Sequence, residues 1–191
     1  GICINEFLIQ EGLLHVKDYP DTPQRLKTEN IDFTKTKVWG EGGYYARIFF
    51  NVEGREPNGI IPADQYDAFR QEIKEKIESI PDENGNDIGT KVFYPENIYK
   101  DIKNIPPDLI VYLGDLNWRS AGTIGNKTLH IFENDTGPDD ANHAQEGIFV
   151  WHNSGRDATS ERLTRSIYDV APSVLDYFGI PVPGDMIGQP M

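Results

Sequence analysis

"PPDLIVYLGD" (Pro106–Asp115) holds five consecutive apolar residues, Leu109 to Leu113, between a proline pair and a Gly-Asp turn. So short and unbroken a run reads as a strand buried on both faces. Working upstream, "YYARIFFNV" (Tyr44–Val52) is rich in β-formers and bounded by Gly42-Gly43 and Gly54, which predicts another strand. Between them "PADQYDAFRQEIKEKIESI" (Pro62–Ile80) predicts a helix: Pro62 suits its first turn, and Tyr66, Phe69, Ile73, Ile77 and Ile80 share one face. "PDENGNDIG" (Pro81–Gly89) is a turn by composition, followed by the short "KVFYP" and a helical turn in "PENIYKDI".

The flanks continue the alternation. "INEFLIQEGLL" (Ile4–Leu14) has helical spacing with Gly12 as its stop, and the polar stretch after it reads as an irregular connection. Downstream, "TIGNKTLHIF" (Thr123–Phe132) has the form of a hairpin about Gly125-Asn126. "GIFVWH" (Gly147–His152) reads as a second buried-type strand. "SIYDVAPSVLDYFGIPVPGDM" (Ser166–Met186) reads as a helix ended by Gly179, with Asp169 capping or orienting it near its positive end. Alternating strands and helices predict the α/β class in a single domain over residues 1–191.

Composition narrows the functional classes. A chain of 191 residues with 38% hydrophobic content has the means to bury a substantial core. Its net charge of −13 argues against nucleic acid and anionic membrane as partners, because both are polyanions that need clustered Lys and Arg. No apolar segment approaches the roughly 18 residues of a membrane span. The single Cys3 excludes an internal disulfide and fits a reducing, cytoplasmic setting. The chain opens on Gly1 with no initiator methionine and no signal-peptide pattern, which a chosen boundary, a cleavage or a missing upstream half would each explain.

Several chemistries fail on spacing. The acid-rich loop "ENDTGPDDANHAQEG" (Glu133–Gly147) puts Gly137 and Asp140 where an EF-hand needs a ligand and a glycine, and a register starting at Asp82 fails likewise. There is no G-x-S-x-G elbow and no phosphate-binding P-loop, and "GEGGYY" (Gly40–Tyr45) lacks dinucleotide-loop spacing. His143 stands apart because its loop leads directly into an apolar run, where α/β proteins place active-site groups. Imidazole suits zinc, although a loop histidine is also commonly just exposed. His15, His130 and His152 read as structural.

Four segments carry a resemblance. "NVEGREPNGIIPADQYDAFRQEIKEKI" (Asn51–Ile77) resembles the N-x-x-G-R-E-P-x-G-I/V strand, turn and helix of the type I phosphodiesterase/nucleotide pyrophosphatase family, within the alkaline phosphatase superfamily. "PPDLIVYLGD" matches a segment of that family, and the tail from Ser166 to Met191 resembles its I-x-D-I-A-P-T-I-L ending. "CINEFLIQEGLL" (Cys3–Leu14) resembles the stretch that follows the family's Asp-His-Gly metal motif. In this order the motifs cover nearly the whole chain.

The resemblance implies an incomplete alkaline-phosphatase-like α/β/α domain, with residues 38–105 as an inserted strand-helix subregion. It implies two divalent metal ions, zinc above all, and a Ser or Thr nucleophile acting on a small phosphoester or nucleotide. The family's late histidine ligand maps onto His143, preceded here by Asn142 in place of the usual Asp or Thr. Nucleophile and remaining ligands have no counterpart in these residues, so the chain is expected to be the C-terminal part of such a hydrolase, inactive alone. Asp135, Asp139 and Asp140 could flank the site or form a solvated loop. Arg55 and Glu56 could touch substrate, but a salt bridge bracing the turn is the plainer reading. The rival expectation is a non-catalytic acidic binding or cap module. An open sheet edge predicts self-association in either case.

Overall fold

The Leu109–Leu113 run supplies an inner strand of a four-stranded sheet. The computed structural model describes residues 1–133, 141, 143–152 and 163–191, which divide into a unit Gly1–Gly147 and a unit Ile148–Met191. In chain order the first unit contains β1 (Ile2–Cys3), α1 (Ile4–Gln10), β2 (Gln24–Arg25), β3 (Val38–Glu41), β4 (Ala46–Phe50), α2 (Tyr66–Glu78), β5 (Lys91–Phe93), α3 (Pro95–Ile98), β6 (Leu109–Tyr112), β7 (Ser120–Ala121) and β8 (Thr123–Ile124). The second contains α4 (Val170–Tyr177). The mixed α/β class is as expected.

The sheet order is β3-β4-β6-β5, and every neighbouring pair is antiparallel. Strand periodicity sends Val38, Ala46, Ile48, Phe50, Val92, Leu109 and Val111 to one face, where all are buried. α1 and α2 pack on that face: Ile4 meets Gly40, and Phe69 meets Phe50 edge-on at 5.3 Å. The opposite face carries Trp39, Phe49, Phe93 and Tyr112, with Trp39 stacked on Phe49 at 5.7 Å. Ile110 on that face lies in register between Arg47 and Phe93 and is still 5% exposed, so β6 is buried on both sides. The subregion 38–105 supplies three of the four strands, and β6 completes the sheet from beyond it.

Both glycine stops behave as read. After α1, Leu13 N–H donates to Leu8 C=O and Gly12 N–H to Ile9 C=O, with Gly12 at φ 67°. After α4, Ile180 and Gly179 repeat that pattern onto Leu175 and Asp176, with Gly179 at φ 68°. This is the paired closure that a left-handed residue permits at a helix end. At the other end of α4, Asp169 accepts from Ser166 N–H at 2.9 Å and from Gln189 N–H at 3.0 Å. Those two backbone donors hold its carboxyl below the usual carboxylate range.

Two expectations are corrected. "TIGNKTLHIF" is not a hairpin: β8 pairs with β2, while Leu129 accepts from Cys3 N–H and His130 bridges to Ile2. The chain does turn at Gly125-Asn126, but both backbone N–H groups there donate to the Glu6 carboxylate, at 2.7 and 2.9 Å. The turn therefore closes on α1 and its two arms diverge. "GIFVWH" forms no strand, and Ile148 and Val150 are 97% and 82% exposed. An apolar run becomes a buried strand only where flanking strands offer a ladder, and among the described residues none pairs with it.

Candidate functional site

Because β4 and β6 run antiparallel, residues before β4 lie beside residues after β6. That end of the sheet is built around unusual backbone. Gly114, Asp115 and Leu116 are consecutive left-handed residues at φ 55°, 52° and 73°, two of them with side chains that disfavour this region. The turn redirects the chain into Trp118, Arg119 and β7. Asp115 is anchored by Lys91 Nζ at 2.7 Å, and Asn117 Nδ2 donates back to Gly114 C=O at 2.7 Å.

There β7 meets the loop before β4 through main chain alone. Gly43 and Ser120 exchange two hydrogen bonds, at 2.8 and 3.0 Å. A Cβ on Gly42 would stand 2.1 Å from Gly122 N, so only glycine permits this approach. Asn5, fully buried on α1, staples the two segments from beneath: its amide donates to Gly40 C=O and Gly122 C=O, and its oxygen accepts from Gly40 N–H.

This clamp fixes Tyr44 and Arg119, the residues adjoining Gly43 and Ser120. The Arg119 guanidinium lies over the Tyr44 ring at 5.7 Å from its centroid. His143 rests against the same ring, with centroids 3.9 Å apart and planes tilted by 58°. A phenol ring presents a negative face to a guanidinium, and also to an imidazole when that is charged. His143 is otherwise exposed, and Tyr44 is 39% exposed, so the cluster opens to solvent.

The other end of the sheet holds the "GREP" element. Asp108, 3% exposed, accepts from Phe50 N–H at 2.6 Å, from Arg55 Nη1 and Nη2 at 2.6 and 2.8 Å, and from the Tyr66 hydroxyl at 2.6 Å. Glu56 accepts from Arg55 Nε at 2.9 Å and from Val52 N–H at 3.2 Å. The Asp108 carboxylate strengthens the hold of Arg55 on its proton. Burial, then Asp108, push the Tyr66 hydroxyl above its ordinary value. A groove of about 410 Å³ opens here between Arg55, Tyr66, Arg70, Glu96 and Ile105. Arg70 pairs with Glu96 and lies over Tyr94 at 4.2 Å, so both guanidinium groups lining the groove have carboxylate partners. β6 separates the two ends by about 13 Å at 3.3 Å per residue. The salt-bridge reading of Arg55 and Glu56 thus holds, and Asp108 and Tyr66 extend it.

The remaining sequence candidates divide simply. His15 Nε2 and His130 Nε2 donate to Gly12 C=O and Pro81 C=O, at 3.2 and 2.9 Å, and His152 is exposed. Asp135, Asp139, Asp140 and Asn142 lie outside the described residues. Among the described residues no group of three or more His, Cys, Asp or Glu side chains converges on a point. No described helix is long and apolar enough to cross a membrane.

Tyr44 and Arg119 are absent from the sequence-derived candidates. The signal that could have found them is the glycine doublet ahead of two tyrosines in "GGYY", a mark of close backbone approach rather than of a nucleotide loop. No family model matches the chain, and no curated protein or solved structure matches it either.

Proposed function

We propose that this chain is the C-terminal part of a metal-dependent phosphoester hydrolase of the phosphodiesterase/nucleotide pyrophosphatase type, built on an incomplete alkaline-phosphatase-like sheet domain. In this reading His143 supplies one ligand of a divalent-metal site, zinc being the ion best suited to imidazole. The nucleophile, the other ligands and a second ion belong to residues outside these 191, and the substrate is a small phosphoester or nucleotide. A lone cysteine fits the cytoplasm.

One observation carries the reading. The motif order of the sequence singles out His143, and His143 lies on Tyr44, next to the Gly43–Ser120 pairing that the left-handed turn at Gly114–Leu116 leads into. Such turns store backbone strain mainly where a site is being shaped. The "GREP" element, by contrast, is occupied with its own ion pairs and contributes stability rather than chemistry.

The test uses the protein encoded by the complete gene. The expected result is an Asp-His-Gly motif shortly before Gly1, tightly bound zinc, and hydrolysis of bis(p-nitrophenyl) phosphate. His143→Ala should then abolish turnover and release one zinc equivalent. Unchanged metal content and turnover in that variant would overturn the proposal. A complete protein with neither metal nor hydrolysis would leave the acidic binding or cap module in its place.

A further inference from the structure

We propose that Tyr44 is the positioning residue for His143: its ring fixes the imidazole on the clamped end of the sheet. The functional weight of this inference rests on reading His143 as a metal ligand, but the geometry stands without it. An imidazole delivered by an exposed loop samples several rotamers, and ordering it opposes any binding event that uses it. Contact with a ring 3.9 Å away removes part of that freedom beforehand.

The ring is suited to the task because the backbone next to it is tied down. Tyr44 follows Gly43, whose N–H and C=O are both bonded to Ser120, and that pairing is held by the Gly42–Gly122 contact and by Asn5. A continuous chain of contacts therefore runs from the buried face of α1 to the imidazole. Arg119 lies over the same ring, so one aromatic surface meets both a guanidinium and an imidazole. With 39% exposure, Tyr44 is not a core residue, and its main described ring neighbours are Arg119 and His143. The tyrosine hydroxyl plays no part in this scheme, so the ring alone should suffice.

The test reads the imidazole directly. In ¹H–¹³C spectra of the 191-residue chain, the His143 ring signals, assigned with His143→Gln, should lie upfield of those of exposed His152 through the ring current of Tyr44. Tyr44→Leu should return them to the exposed position, and Tyr44→Phe should retain the wild-type shift. In the complete protein Tyr44→Leu should weaken zinc binding about 10–100-fold, the usual cost of losing a group that orients a ligand, and Tyr44→Phe should restore it. A His143 signal unmoved by Tyr44→Leu overturns the positioning role. A signal that moves, with zinc binding indifferent to His143→Ala, keeps the positioning role and overturns the hydrolase reading instead.

Discussion

Replacing Asp108 by asparagine should cost about 3 kcal/mol of stability, and the figure follows from the donors around it. The carboxylate accepts four hydrogen bonds and all four come from groups that donate toward it: Phe50 N–H, two Arg55 nitrogens and the Tyr66 hydroxyl. An amide turns one oxygen into a donor. Placed at Oδ2, its NH₂ faces Phe50 N–H and Arg55 Nη2, neither of which accepts. Placed at Oδ1 it faces Arg55 Nη1 and Tyr66, whose hydroxyl can rotate to accept. Asparagine therefore takes the second orientation, leaving one donor–donor clash and a guanidinium without its buried counter-ion. Breaking a buried pair in this way costs about 3–5 kcal/mol. The lower end applies, because the Arg55 side chain is 45% exposed and keeps Glu56. Urea unfolding followed by tryptophan fluorescence would give the difference from the midpoint at constant slope. A double-mutant cycle with Arg55→Gln should return a coupling of about 2 kcal/mol. A loss under about 1 kcal/mol with no coupling would refute the network as described. The His143 ring signals should not move in either variant, since the network lies at the other end of the sheet.

Three further outcomes are expected. Gly42→Ala must separate two backbones that touch, so it should lower stability by about 2 kcal/mol in thermal unfolding and return the His143 ring signals to the exposed position; an unchanged melting temperature would contradict the contact. Asp169 titrates below the ordinary carboxylate value in the folded chain, so its stabilisation of α4 is complete above the unfolded pKa of about 3.9 and is lost as pH falls through the lower folded value. In amide NMR spectra taken from pH 5 to pH 2, Asp169→Asn should remove the acid-induced change at Ser166 and Gln189, and persistence of that change would assign it elsewhere. The exposed run Ile148–Trp151 should drive concentration-dependent self-association on sizing columns, and Val150→Lys should suppress it; a wild-type chain monomeric at every concentration would count against an exposed apolar run as a pairing site.

What the sequence disclosed was local. Helix stops at Gly12 and Gly179, the apolar face of α2, the carboxylate at the start of α4 and the burial of Leu109–Val111 all depend on neighbours within a few residues or on simple periodicity. The two corrected segments failed for a common reason: strand pairing is a relation between distant segments. Gly125-Asn126 has turn chemistry, but nothing within "TIGNKTLHIF" announces that Glu6 will claim its N–H groups. "GIFVWH" has strand composition, but composition does not provide a neighbouring ladder. The candidate site divides in the same way. His143 was legible as a loop histidine before an apolar run, whereas Tyr44 and Arg119 acquire meaning only once residues 43 and 120 are paired across the fold.

The buried polar pair on α1 has a consequence for how the chain acquires its structure. Asn5 reaches a partner 117 residues away and Glu6 one 119 residues away. At about 5–20 residues per second of synthesis, α1 waits roughly 6–24 s for the segment that satisfies Glu6. During that interval Asn5 can bond Gly40 and Glu6 can accept from Tyr19, but the Gly122 and Gly125-Asn126 contacts stay unmade. α1 can dock on β3 through Asn5 and Gly40, only 35 residues apart, before the segment around Gly122–Asn126 arrives to complete its contacts. The helix is thus seated early and locked late, and ribosome-bound intermediates should leave its Glu6 side open to proteases and chaperones until residue 126 has emerged.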